Sequence, residues 1–132
     1  MTMRILLVDN DPVYLSLLAE VLTLYSHQVF RATDGEEGCA LLEREMVHLI
    51  ISDVGMPNVN GMDFHIKVRA DERFKTIPFA WNSAYPELLH VLEIGDPSID
   101  FKFEKTMPLP HLLYFVNRFD TALRLRGQMS PS

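Results

Sequence analysis

Five polar residues each sit at the end of a short apolar run, and together they could carry out phosphoryl chemistry. Asp9 and Asn10 follow Ile5-Leu6-Leu7-Val8, and Asp53 comes just after Leu49-Ile50-Ile51. Ser83 closes the run from Phe79, and Lys105 closes the run from Phe101. Taken singly, each is what a cap or a turn would supply. Taken together they suit one reaction. The carboxylates of Asp9 and Asp53, with the amide oxygen of Asn10, can hold Mg²⁺, a hard cation that prefers oxygen ligands and keeps several waters. Such a metal offsets the charge that keeps a phosphate away from an aspartate. Asp53 could then attack phosphorus to give an acyl phosphate. Ser83 can hydrogen-bond one phosphoryl oxygen and Lys105 can pair with another, so catalysis would be positioning and charge neutralisation.

The elements that must position these residues alternate along the chain. Ile5–Val8 is apolar without alternation, which reads as a strand buried on both faces. Asp11 can cap a helix whose first residue is Pro12, with Leu15, Leu18, Val21 and Leu22 on one stripe. His27 to Ala32 reads as a second strand, and Glu36 to Arg44 as a helix with Leu41 and Leu42 inward. Leu49–Ile51 is a third strand. The segment Gly55-Met56-Pro57-Asn58-Val59-Asn60-Gly61 is a loop by its Pro, Asn and Gly content, and Met62 to Ala70 is helical. Phe79–Trp81 makes a fourth strand, and Pro86 opens a short helix carrying Leu88, Leu89 and Leu92. Phe101 to Lys105 is a fifth strand. Leu109 to Arg126 is the last helix, with Leu112, Phe115, Val116, Phe119 and Leu123 inward. Strand and helix alternating in this way imply right-handed crossovers and an α/β fold, a doubly wound parallel sheet with helices on both faces. In such a sheet the working site lies beyond the carboxyl ends of the strands, where the strand order reverses.

Composition narrows the partners. The 132 residues fit one domain, read here as 1–126 with a flexible polar tail over 127–132. A net charge of −6 suits neither a phosphate backbone nor an anionic membrane, so neither nucleic acid nor membrane is expected as a partner. A single cysteine, Cys39, excludes an internal disulfide, and a reducing cytoplasm is the expected compartment. The first apolar run stops at Asp9, too early for a signal peptide, and no apolar stretch approaches the length of a membrane span.

The stretches Ile5-Leu6-Leu7-Val8-Asp9-Asn10-Asp11-Pro12, Ile50-Ile51-Ser52-Asp53-Val54-Gly55-Met56-Pro57 with Gly61 four residues on, and Asn82-Ser83-Ala84 resemble the receiver domains of two-component response regulators, the CheY-like family. The resemblance runs from about Met3 to Arg126. It implies a flavodoxin-like sheet of five parallel strands in the order 2-1-3-4-5. It makes Asp53 the phosphoacceptor, places Asp9 and Asn10 at the acidic pair, and adds the backbone carbonyl of Gly55 as a metal ligand. Ser83 takes the hydroxyl position. The implied function is that of a stand-alone signalling module rather than an enzyme. It would be charged by a histidine kinase or phosphotransfer protein and act on a downstream protein by contact. The face made by strand five and the last two helices is the candidate surface for that protein or for a second copy.

The chain departs from the family in two places. Asn10 stands where the second acid is usual, so Mg²⁺ affinity is expected to be weakened. Thr106 stands where proline usually follows the site lysine. Lys102 rivals Lys105 for that role. Lys105 is preferred because alternation then aligns Phe101, Phe103 and Lys105, whereas Lys102 would send Asp100 inward. Lys102 then falls where the family often carries a switching aromatic. These departures motivate an alternative, a pseudo-receiver that binds partners without phosphorylation. A more distant alternative comes from Asp9-Asn10-Asp11, which resembles the nucleophile motif of haloacid-dehalogenase-type phosphatases; those carry a small hydroxyl residue where this chain has Val13. The five histidines (His27, His48, His65, His90 and His111) form no short metal-type pair, and most read as surface or edge residues. Trp81 and Cys39 read as packing residues.

Overall fold

The computed structural model describes residues 3–55, 60–92 and 95–125. Alternation of strand and helix is complete: β1 Arg4–Val8, α1 Pro12–Leu24, β2 Gln28–Ala32, α2 Gly35–Arg44, β3 Leu49–Ser52, α3 Gly61–Ala70, β4 Phe79–Ser83, α4 Pro86–Val91, β5 Asp100–Glu104 and α5 Leu109–Leu125. The strands form one parallel sheet in the order β2-β1-β3-β4-β5. The fold is the doubly wound parallel α/β sheet that the strand pattern implied, in the flavodoxin-like order that the family resemblance implied. The order reverses at β1, between β2 and β3, and the expected crevice lies at that point.

The pleat sorts the apolar strand residues into two layers. Met3, Ile5, Leu7, Leu49 and Ile51 pack with Leu15, Leu18 and Leu22 of α1 and with Leu112, Val116 and Leu123 of α5. Leu6, Val8, Ile50, Phe79 and Trp81 face the other way, onto Leu42 of α2, Phe64 and Val68 of α3, and Leu89 of α4. Burial on both faces is why the strands read as continuous apolar runs. Trp81 is a core residue of the second layer, 3% exposed, stacked against Phe79 and His65.

Several expectations need correction. The fifth strand is Asp100–Glu104, so Lys105 lies just past it in a turn. Asp100 points inward after all, 6% exposed. It accepts hydrogen bonds from Arg69 Nη2 at 2.7 Å and pairs with His65 Nε2 at 2.8 Å, which offsets the cost of burying its charge. The histidines are not all peripheral. His27 is buried and its Nδ1 accepts the Met3 N–H at 3.3 Å, and His48 Nδ1 accepts the Arg4 N–H at 2.9 Å. Val21 is only half-buried, and Ala19 takes its place on the inner stripe of α1. The Met56-Pro57 dipeptide, Arg126 and the tail over 127–132 lie outside the described residues.

Candidate functional site

Each strand that feeds the site holds its polar residue by one more ladder bond. The Asp9 N–H donates to Ala32 O at 3.0 Å, the Asp53 N–H to Val8 O at 2.9 Å and the Lys105 N–H to Ser83 O at 2.8 Å. The backbones of all three are therefore fixed by the sheet, although the strands formally end before them. Their side chains then meet at the carboxyl edge. Lys105 Nζ lies 2.6 Å from Asp9 Oδ2 and 3.3 Å from Asp53 Oδ2. Asp9 is 5% exposed and Asp53 9%, so a nearly buried carboxylate pair shares a single ammonium.

The remaining lone pairs are oriented locally. Asp9 Oδ1 accepts the Asp11 N–H at 2.9 Å, and Asp53 Oδ1 accepts the Val54 N–H at 2.8 Å. Asp11 caps α1 by accepting from Val13 and Tyr14 N–H. Asn60 caps α3 through Asp63 N–H, and Gly61 N–H donates to Val54 O at 2.8 Å, which pins the start of α3 beneath Asp53. Burial raises the Asp9 carboxyl above its ordinary value, against the lowering effect of its bond with Lys105. Burial works to lower the Lys105 ammonium, yet the bond to Asp9 and the charges of both carboxylates hold it above its ordinary value. Lys105 is thus a permanent cation at neutral pH.

Asp9, Asp53 and Lys105 are in direct contact. Ser83 is fully buried at the end of β4, and its Oγ accepts the Tyr85 N–H at 3.1 Å. Asn10 and Gly55 are exposed; Asn10 directly follows Asp9, and Gly55 is two residues past Asp53. Lys102 points away from the site and donates to Leu92 O at 2.6 Å, just past α4. Of the two lysines only Lys105 reaches the carboxylates, and the supposed outward position of Asp100, on which it was preferred, is not what the structure has. Two residues of the site were missed. Tyr14 of α1 lies with its ring 4.7 Å from Lys105 Nζ, and its hydroxyl accepts from Asn82 Nδ2 at 2.7 Å. A polar Asn82 inside an otherwise apolar strand was the available signal.

Among the described residues, no three His, Cys, Asp or Glu side chains gather into a metal site of their own. The donor set still fits Mg²⁺. Two carboxylates, of Asp9 and Asp53, converge on one cation, and the Asn10 amide and the Gly55 carbonyl follow them within two residues in the chain; all are hard oxygen ligands. The cavity beneath Asp9 and Asp53 is only about 10 Å³, so no more than a water-sized group fits below the two carboxylates. Among the described residues, no helix is long and apolar enough to cross a membrane.

Comparison with known proteins points the same way. The family model of the response regulator receiver domain matches residues 5–113. Protein PilH of Pseudomonas aeruginosa is 33% identical over 75 residues, 57% of this chain and 62% of that protein. The DNA-binding transcriptional regulator RpaA of Synechocystis is 29% identical over 110 residues, 83% of this chain and 46% of RpaA. The chain thus spans less than two thirds of the length of these relatives. Among solved structures, the signal receiver domain of a histidine kinase from Syntrophus aciditrophicus superposes with a TM-score of 0.80 at 25% identity, covering 92% of both chains. The response regulator TrrA of Thermotoga maritima, solved in complex with Mg²⁺ and beryllium fluoride, shares the fold with a TM-score of 0.77 at 24% identity, covering 90% of this chain and 99% of that one.

Proposed function

Because the chain belongs to the response regulator receiver family of two-component systems, we propose that it accepts a phosphoryl group on Asp53 and signals through protein contacts. The observation that carries this reading is the Lys105 ammonium set across Asp9 and Asp53, at 2.6 and 3.3 Å, on the carboxyl edge of a parallel sheet. The donor would be a histidine kinase or phosphotransfer protein, and the chain would act as a cytoplasmic signalling module, not as an enzyme with its own substrate turnover.

The residues divide the work. The Val54 N–H holds Asp53 Oδ1, which leaves Oδ2, the oxygen facing Lys105, free to attack phosphorus. The new P–O bond forms as the bond from phosphorus to the donor's imidazole nitrogen breaks, and the imidazole leaves with its electron pair. Lys105 then pairs with a phosphoryl oxygen, and the Ser83 hydroxyl turns from Tyr85 to another. Asp9, Asn10, Asp53 and the Gly55 carbonyl would hold Mg²⁺, which neutralises charge on the transferring group when bound. With asparagine at position 10 that affinity is weaker than in receivers with two acids. A second copy, or the downstream protein, would be met by β5, α4 and α5.

The test is the intact mass after incubation with Mg²⁺ and acetyl phosphate, with Asp53→Asn as control. One added phosphoryl group in the wild type only is the expected result. No gain with any donor, Mn²⁺ included, would overturn this reading and favour the pseudo-receiver, for which Asn10 is the motive. Asp11 serves as the cap of α1, so the phosphatase-like reading of Asp9-Asn10-Asp11 has no support from its second acid.

A further inference from the structure

Lys105 is a half-buried cation whose flexible stem has to hold its head between two carboxylates. Two of its three N–H directions are taken by Asp9 and Asp53. The third side is closed by an aromatic face: the ring of Tyr14 lies 4.7 Å from Nζ. That ring is itself tied at both ends. Its backbone N–H reaches the Asp11 cap at 3.3 Å, and its hydroxyl accepts from Asn82 Nδ2 at 2.7 Å, 68 residues away in the chain. Asn82 is 2% exposed within β4, and burying an amide there has a cost unless it finds a partner. Tyr14 meets that need. Burial also holds its phenol above the ordinary range, so the ring stays neutral beside the two carboxylates.

We propose that Tyr14 is a positioning residue of the phosphoacceptor site: its ring, anchored by Asn82, keeps the Lys105 ammonium at the junction of Asp9 and Asp53. The inference rests on the phosphoacceptor reading for its kinetic consequence, but not for its geometry. A cation over an aromatic face is attracted by the ring quadrupole and cannot swing through it. Lys105 therefore begins phosphoryl transfer within one rotamer step of the oxygens it must neutralise, and the charge stabilisation is in place beforehand.

Two readouts test this. The first is the proton chemical shift of the Lys105 ε-methylene by NMR at constant pH, without metal. It is expected upfield in the wild type through the ring current, retained in Tyr14→Phe and lost in Tyr14→Leu. The second is the initial rate of phosphoryl gain from acetyl phosphate with Mg²⁺. Tyr14→Leu is expected to slow it roughly two- to fivefold, with Tyr14→Phe within about twofold of wild type. In a Lys105→Met background, Tyr14→Leu is expected to add no further loss, because its effect passes through the ammonium. If Tyr14→Leu fails to fold, Asn82→Val is substituted, and the upfield shift is expected to shrink as the ring is released. An ordinary Lys105 shift in the wild type, or a rate loss that persists undiminished without Lys105, would overturn the proposal. Absence of phosphoryl gain in the wild type would instead remove the phosphoacceptor reading, and the NMR comparison would still decide the place of Tyr14.

Discussion

Replacing Gly61 by alanine is expected to destabilise the support of the site, for a reason that has nothing to do with backbone dihedral freedom. Gly61 is the first residue of α3, and its N–H bonds Val54 O at 2.8 Å. A methyl group there would run into the carbonyl oxygen of Asp53, with Val54 Cα and O both 2.9 Å away. All three obstacles are backbone, and that backbone is locked: Asp53 N–H is bonded to Val8 O in the sheet. Nothing flexible can yield, so α3 or the Asp53 loop must move. Overpacking of this kind costs about 1–3 kcal/mol, and alanine regains at most about 1 kcal/mol of helix propensity. With the clash at the upper end of that range, the net loss is about 2 kcal/mol, or roughly 7 °C in Tm for a chain of this size.

The other glycines supply the scale for urea and thermal unfolding. A methyl at Gly38 would meet Phe64 Cζ at 3.0 Å and Val8 Cγ2 at 3.3 Å, which are side-chain atoms able to give, and α2 would gain propensity. Its change is expected to stay within about 1 kcal/mol. At Gly55 the nearest atom is Leu88 Cδ1 at 4.0 Å, so alanine should be nearly neutral, within roughly 0.5 kcal/mol. The acyl phosphate yield of Gly61→Ala should fall as well, because the displaced atom is the Asp53 carbonyl itself. A Gly61→Ala protein no less stable than Gly55→Ala would refute the reasoning.

Three further outcomes are expected. Arg69→Met strands the buried Asp100 carboxylate with His65 alone, and should cost about 3 kcal/mol in urea unfolding; a loss under about 1 kcal/mol would contradict the pairing. Arg73 hydrogen-bonds Glu43 and Asp71 and holds both carboxyls below their ordinary values of 4.5 and 3.8. Depressed carboxyls stabilise the fold above those values, and the benefit is lost as pH falls through the lower folded ones, so the small Tm gap between wild type and Arg73→Met should be present at neutral pH and close on acidification. A gap that is constant with pH would count against it. Asn10→Asp adds a charge beside Asp9 and Asp53, worth roughly 4 kcal/mol at ~4 Å and an effective dielectric of about 20 before desolvation and screening, so calorimetry should show tighter Mg²⁺ binding. Equal affinity in the two proteins would sink the claim that asparagine weakens the site.

What the sequence revealed of this site, and what it hid, follows from how far apart the interacting residues lie in the chain. Asp9 and Asp53 each end a buried apolar run, which singly is no more than a cap or a turn supplies; it is their meeting with Lys105 at the carboxyl edge that sets them apart. The sheet order followed from the family resemblance, and the register that brings Asp9, Asp53 and Lys105 together is set by ladder bonds beyond the formal strand ends. Lys105 was chosen over Lys102 on an argument that failed in one of its premises. Alternation does put Asp100 on the face of Lys102, but that face is also interior, and Arg69 and His65 of α3 make its burial tolerable. No local pattern announces a partner that α3 supplies across the sheet. Tyr14 was hidden for the same reason. On α1 it lies at helical spacing from Leu18 and Leu22 and packs against that layer, so periodicity reads it as a core residue and not as part of a site. Its role comes from Asn82 on β4 and Lys105 past β5, whose positions only the assembled sheet relates. A polar residue inside an apolar strand, such as Asn82, is the local trace of such a distant partner, because burial without one would be too costly to keep. In a doubly wound sheet, then, strand ends point to where chemistry can happen, and buried polar exceptions point to the residues that hold it in place.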